Sequence, residues 1–258
     1  MHLEQLPFLE EYYNKIYKIT NAETIVVSKD VDFNFGMKSK GKYSRYLSIL
    51  KEKNGEQYIP RLNDCKEATH TVYNFSLFPQ TGAMNTAKEW GEDRIDTFVY
   101  CLDLLIKEIK EIGAEKVYEE FVGFANQKNV PLKYRLLNSF VGKNGKKGIE
   151  AKLRLKEILI KYLSQYDDVY GYCEDWYLWY DETKEFDVRG FIDANILNEK
   201  SISPINEPED VKRYMDIAEF FWKVREKHYL SAGISKEEIK EVNKKIASYD
   251  NKNIARYK

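Results

Sequence analysis

Between Asn74 and Arg94 the chain gathers the side chains best suited to hold a polar ligand. Asn74, Ser76, Gln80, Thr81, Asn85, Thr86 and Lys88 supply amide, hydroxyl and ammonium groups in a stretch punctuated by Pro79, Gly82 and Gly91. Glycines let the main chain approach a ligand, and a helix that starts just afterwards offers its free N–H groups and positive end to an anion. Asp93 partly opposes that use for phosphate, because a carboxylate cap already occupies the positive end. The candidate ligand-binding set is therefore Asn74, Ser76, Thr81, Gly82, Asn85, Lys88, Asp93 and Arg94. The competing use is structural, with the same groups bonding a buried loop to its own backbone. Arg94 falls at the edge of the apolar arc when the helix is turned at about 100° per residue. A guanidinium pointing coreward needs a carboxylate or an anion. It serves either as the anchor of the preceding loop, the preferred reading, or as a clamp on a ligand.

Catalytic arrangements find less support. His2, His70 and His228 are the only histidines, and no serine sits in a G-x-S-x-G turn. Lys38, Lys40, Lys42 and Arg45 cluster around Gly41 without the GxxxxGK[ST] spacing of a phosphate loop, and no G-x-G-x-x-G follows a strand. The run WKVREKHY (222–229) resembles the arginine–histidine pair of HEPN-type ribonucleases. It departs from that pattern in having only two residues between Arg225 and His228 and no polar residue of the usual kind after the arginine. From Tyr166 to Phe191 acids alternate with aromatics (Asp167, Asp168, Glu174, Asp175, Asp181 and Glu182 among Tyr170, Tyr172, Trp176, Tyr177, Trp179 and Tyr180). Carboxylates alone would favour Mg²⁺ or Mn²⁺. Their spacing matches no nuclease pattern, so pairing with basic groups inside the fold is expected and no cofactor is predicted.

The elements that must position these groups follow from periodicity. Residues 6–19 have helical spacing, Thr24 to Ser28 is β-branched, and Val31, Phe33 and Phe35 alternate as a strand extension. A helix is predicted over Tyr43–Lys53, a loop over Tyr58–Lys66 around Pro60, and a strand over His70–Leu77. The most regular helix begins near Glu92 or Asp93. It carries Ile95, Phe98, Val99, Leu102, Leu105, Ile106, Ile109 and Ile112 on one arc, with Asp96, Tyr100, Asp103 and Lys107 opposite, and stops at Gly113. Shorter helices follow over 114–127 and about 130–140, then the linker-like GKNGKKG of 142–148. A basic helix is predicted from Ile149 to Tyr166. A Pro-containing loop (201–208) leads to a helix from Glu209 or Asp210 to Tyr229, with Arg225 on its inward stripe. Ser235 and Glu238 form a capping box for the last helix.

Lys+Arg is 41 and Asp+Glu 42, a balance that argues against wrapping of duplex nucleic acid but leaves room for a local patch. Lys143, Lys146, Lys147, Lys152, Arg154 and Lys156 are the best candidates for one, against the alternative of a solvated lysine face. The three cysteines match neither a zinc pattern nor a disulfide framework, as in a reducing compartment. The N-terminal residues lack an apolar signal core and no membrane span is present, so a cytoplasmic protein is expected.

NFSLFPQTGAMN (74–85), a lysine, then DRIDTFVYCLDLL (93–105) is similar to the signature of an uncharacterised bacterial and phage-borne domain family, N-x-x-L-x-P-x-T-G-x-x-N followed by D-R-x-D-x-F. DFNFGMKSKGKYS and RYMDIAEFFWKVRE resemble the flanking parts, so the resemblance spans most of residues 31–228. It implies one domain centred on Asn74, Pro79, Gly82, Asn85, Asp93, Arg94 and Asp96, and it brings no activity. The expected architecture is α+β and mainly α-helical: a single domain over residues 1–258, with a possible subdivision near 142–148. A small sheet from residues 24–35 and 71–77 packs on a helical core. The expected function is non-catalytic binding, with a small polar ligand or a protein partner met by the loop before the central helix. A Lys- and Tyr-rich composition suits a low-GC bacterium or its phage, and hence phage–host conflict. The alternative is a metal-assisted enzyme acting on nucleotides or nucleic acid through Asp93, Asp96 or Asp103 with Lys88 and Arg94.

Overall fold

The computed structural model describes residues 27–35, 42–69, 71–79, 94–124, 130–138 and 146–255. Its centre is helix α3. In chain order the helices are α1 (Lys42–Glu52), α2 (Ile59–Ala68), α3 (Ile95–Ile112), α4 (Ala114–Phe124), α5 (Arg135–Asn138), α6 (Lys146–Leu163), α7 (Val169–Tyr177), α8 (Val188–Asn195), α9 (Pro208–Ser231) and α10 (Lys236–Ala255). Two five-residue strands, β1 (Val27–Val31) and β2 (Phe75–Pro79), pair antiparallel, with Val31 opposite Phe75 and Asp30 opposite Ser76. This ladder is too small to form a layer. The fold is mainly helical, as expected, and this two-stranded ladder is the sheet found among its described residues.

Leu, Ile and Phe at three-and-four spacing make α3 amphipathic, yet the fold covers it on both faces. α4, α5, α6, α7 and the turns at 132–134 and 199–201 all pack on it. Asp96 and Asp103, on the stripe that periodicity assigned to solvent, are buried along with the apolar arc. Gly113 ends the helix at φ +87, a backbone region that side-chain-bearing residues avoid. α9 is the second organising helix and holds α1, α2 and the turn at 72–74. One cluster of buried residues runs from Phe33 through α3, α7 and α9 to Ile246. Within it Trp179 stacks on Phe221 at 3.7 Å between ring centroids, and at its margin the half-buried Phe191 stacks on Phe220 at 3.6 Å.

Two expectations about elements are overturned, and one stretch left without an assignment proves helical. Residues 58–66, expected as loop, are largely helix α2, because Pro60 falls in the first turn, where its missing N–H costs nothing. The acidic–aromatic stretch holds two helices, α7 and α8, each started by an aspartate: Asp168 accepts from Gly171 N and Asp187 from Gly190 N. The linker-like GKNGKKG is already helical from Lys146. No helix among the described residues is long and apolar enough to cross a membrane.

Candidate functional site

Two buried arginine–aspartate knots hold the described core together, and the sequence candidates divide between them. The first joins the β1–β2 ladder to α9. The chain leaves β1 at Val31 and bends, so Asp32 and Phe33 are both buried. Asp32 accepts from Ser76 Oγ at 2.5 Å and from Arg225 Nη2, and both members of the ion pair are 1% exposed. Arg225 also donates to the carbonyls of Tyr177 (2.8 Å) and Tyr73 (2.9 Å). Beside it, Asn74 Oδ1 accepts from Phe33 N and Trp222 Nε1, while Asn74 Nδ2 donates to the carbonyls of Phe33 and Thr69. All four hydrogen-bonding positions of that amide are taken. Asn74 and Ser76, proposed for a ligand, are thus committed to the protein's own scaffold. Arg225 is equally committed, which removes the HEPN-like reading. His228, one turn on, lies against Tyr180, with its Nε2 2.8 Å from the Tyr180 carbonyl oxygen.

The second knot surrounds the first turn of α3. Arg94 is the N-cap residue, and its carbonyl accepts from Phe98 N. The start expected near Glu92 or Asp93 is therefore placed slightly early. Asp96 lies within the first turn and accepts from Thr97 N at 2.9 Å, from Arg94 Nε at 3.1 Å, from Arg94 Nη2 at 2.6 Å and from Arg213 Nη2 at 2.7 Å. Arg94 reaches on to the Ser203 carbonyl, and Thr97 Oγ1 donates to that of Ser201. Arg213 donates to the carbonyls of Asn195, the last residue of α8, and Lys200. Burial opposes charge on the Arg94 guanidinium, but Asp96 beside it more than compensates and holds its pKa above the ordinary arginine value. Arg94 is paired with a carboxylate of its own helix, and the loop that the preferred reading had it anchor lies outside the described residues.

Among the described residues charge does not balance here as it does at the first knot, because two guanidiniums share one carboxylate. The α8 carbonyl end offsets part of the excess, and Arg213 Nε and Ser201 Oγ, both buried, have no hydrogen-bond partner among the described residues. The Arg213 side chain is 13% exposed against 4% for Arg94, so it is the edge of this knot nearest solvent. Thr81, Gly82, Asn85, Lys88 and Asp93 lie outside the described residues.

The remaining charged candidates are tied up elsewhere. Asp103 is bonded by Lys107 at 2.7 Å, and burial raises its pKa above the usual carboxylate range. Asp181 accepts from Phe186 N, Thr183 and Lys227, which holds its carboxyl well below that range despite its burial. Asp167 pairs with Lys110 of α3 and Glu174 with Arg189. Asp167, Glu174 and Asp181 are paired with basic groups within the fold, though with partners other than the basic helix, and Asp168 instead caps α7. That helix loses Lys156 from its solvent face, since the residue is 1% exposed, while Arg154 is exposed and Lys161 pairs with Glu157. Lys146, Lys147 and Lys152 lie on α6 and Lys143 outside the described residues. Among the described residues no group of three His, Cys, Asp or Glu side chains is placed to hold a metal ion.

Sequence reasoning named Arg94, Asp96 and Arg225 but missed Asp32, Arg213 and Ser201. Alternation put Asp32 opposite Val31 and Phe33, and the bend that buries it leaves no period to detect. Arg213 sits beside the inward stripe of α9, where a charged residue looks solvated. Comparison with protein-family models, curated proteins and solved structures returned no match for this chain.

Proposed function

We propose that the protein is a non-catalytic binding protein whose ligand is met at the N-terminal end of α3, through an acidic group that engages Arg213. The observation that carries this reading is that, among the described residues, Arg94 and Arg213 share the one carboxylate of Asp96. The positive charge left over among the described residues stands at a helix N-terminus, where an anion is favoured. A carboxylate or phosphate group on a small polar ligand, or an acidic side chain of a protein partner, supplies the missing charge. Phage–host conflict is the setting we favour, on composition alone.

The alternative is a metal-assisted enzyme acting on nucleotides or nucleic acid, and one observation speaks for it. Asp103 is a buried carboxyl with a raised pKa, as a general acid requires. Asp96, however, would have to leave both arginines before it met a metal.

Native mass spectrometry of the protein purified from its host, before and after denaturation, tests the proposal. A co-purifying acidic small molecule or protein, lost in an Arg213→Gln variant that keeps its fold, is the expected result. Retention of the same ligand by that variant removes Arg213 from the site, and a clean apo monomer leaves the binding reading without support.

A further inference from the structure

Asn54 and Gly55 link α1 to α2, and the pair has a chemistry of its own. In an Asn-Gly sequence the glycine nitrogen attacks the asparagine Cγ. The new C–N bond closes a succinimide, ammonia leaves with the glycine N–H proton, and water opens the ring to aspartate or isoaspartate. No enzyme, oxidant or cofactor takes part. We propose that Asn54–Gly55 is a self-modification site, held closed by the fold and exposed to deamidation whenever the α1–α2 turn opens.

The closing contacts come from α1 and from the start of α9. Asn54 is exposed and held at φ +58 in the left-handed region. The attacking atom is not free, because Gly55 N donates to the Leu50 carbonyl at 2.7 Å. Gly55 is buried, and a Cβ built on it meets Pro208 Cβ at 2.8 Å and Leu50 Cδ2 at 2.9 Å, so the turn is seated directly on the first residue of α9. Lys53 pairs with Glu207, and Tyr58 Oη donates to Glu209 at 2.7 Å, which close the seat on either side. Reaction requires the peptide to rotate and Gly55 N to leave Leu50, and both mean lifting the turn off Pro208. Opening to aspartate keeps the main chain intact and allows it to reseat. Opening to isoaspartate inserts a methylene between Asn54 Cα and Gly55 N, so Gly55 no longer reaches Leu50 and Pro208 together. The modification is a one-way record of opening.

The sequence holds a second Asn-Gly pair, Asn144–Gly145, which serves as an internal reference. The full-length protein is incubated in mildly alkaline buffer with and without concentrated urea, and deamidation at each pair is followed by peptide mass mapping. In urea the two pairs should react at similar rates. In the native protein Asn54 should react at least about tenfold more slowly than in urea, the protection that about 1.4 kcal/mol of local stability confers. Equal native and urea rates at Asn54 overturn the proposal. Pro208→Gly removes the seat without touching the reacting pair. It should raise the native rate and leave the urea rate unchanged, and an unchanged native rate overturns the claim that the seat is what closes the site.

Discussion

Replacing Arg225 by methionine tests whether the Asp32 knot is scaffold. Methionine follows much of the arginine stem but supplies none of its donors. The variant removes the guanidinium facing Asp32 and the donors to the Tyr73 and Tyr177 carbonyls, in a region where pair and surroundings are buried. Breaking a buried ion pair by removing one partner costs roughly 3–5 kcal/mol. A carbonyl left dry costs about 1–3 kcal/mol more, although such terms do not add. An overall loss of about 4–5 kcal/mol is expected, a large share of the roughly 5–15 kcal/mol that a folded protein has. In urea, with a slope of about 3 kcal/mol per molar, the midpoint should fall by about 1.5 M. The double variant Arg225→Met/Asp32→Asn removes both charges and should be about 2 kcal/mol less destabilised than Arg225→Met alone, and together with the Asp32→Asn single variant it yields the coupling energy of the pair. A single-variant loss below about 1 kcal/mol, or a coupling energy near zero, would refute the assignment of this knot to the scaffold.

Three further outcomes follow from individual groups. Cys65, Cys101 and Cys173 are buried, with the Cys101 thiol pushed up to about 11 by desolvation and the other two also raised, so a thiol reagent should label them only after denaturant is added. Burial lowers the His228 pKa, more than the Tyr180 carbonyl raises it and with Arg225 nearby adding to the lowering. The stability that its neutral form contributes is therefore complete above the unfolded value of about 6.5 and declines as pH falls below it. His228→Gln should flatten that part of the urea-midpoint profile between roughly pH 7.5 and 5.5, and a profile with unchanged slope counts against it. Leu178 caps α7 at φ +54 while 3% exposed. Leu178→Gly relieves about 1 kcal/mol of strain but gives up burial of about 2–5 kcal/mol, so urea unfolding should show a net loss, and a gain would show that strain dominates.

What was legible in the sequence was what periodicity carries. α3 and α9 were readable because their apolar residues repeat at helical spacing over many turns. Ser235 and Glu238 bond each other's backbone N–H groups as the capping box implies. α2, α7 and α8 were missed because their evidence is terminal rather than periodic: a proline in a first turn, and Asp168 and Asp187 as caps. The candidate site was half legible for a related reason. Arg94 and Arg225 announced themselves as charges on apolar arcs, while their partners did not. Asp96 shares the stripe of Tyr100 and Lys107, which looks like a solvent face until α8, α9 and the 199–203 segment cover it. A local pattern holds no record of which distant segment arrives to bury it.

That distance has a kinetic side. Asp32 and Arg225 are 193 residues apart, the longest span among the ion pairs described. At roughly 5–20 residues per second of synthesis, about 10–40 s separate the emergence of the carboxylate from that of its partner. During that interval the β1–β2 ladder has no guanidinium to close it, and α3 has neither Arg213 nor the carbonyls of Ser201 and Ser203 around its first turn. The N-terminal half is consequently a client waiting on the C-terminal half, exposed to chaperones and proteases while it waits. A message cut short before α9 yields a chain with both knots open, which the cell meets as an unfolded protein rather than as a shorter functional one.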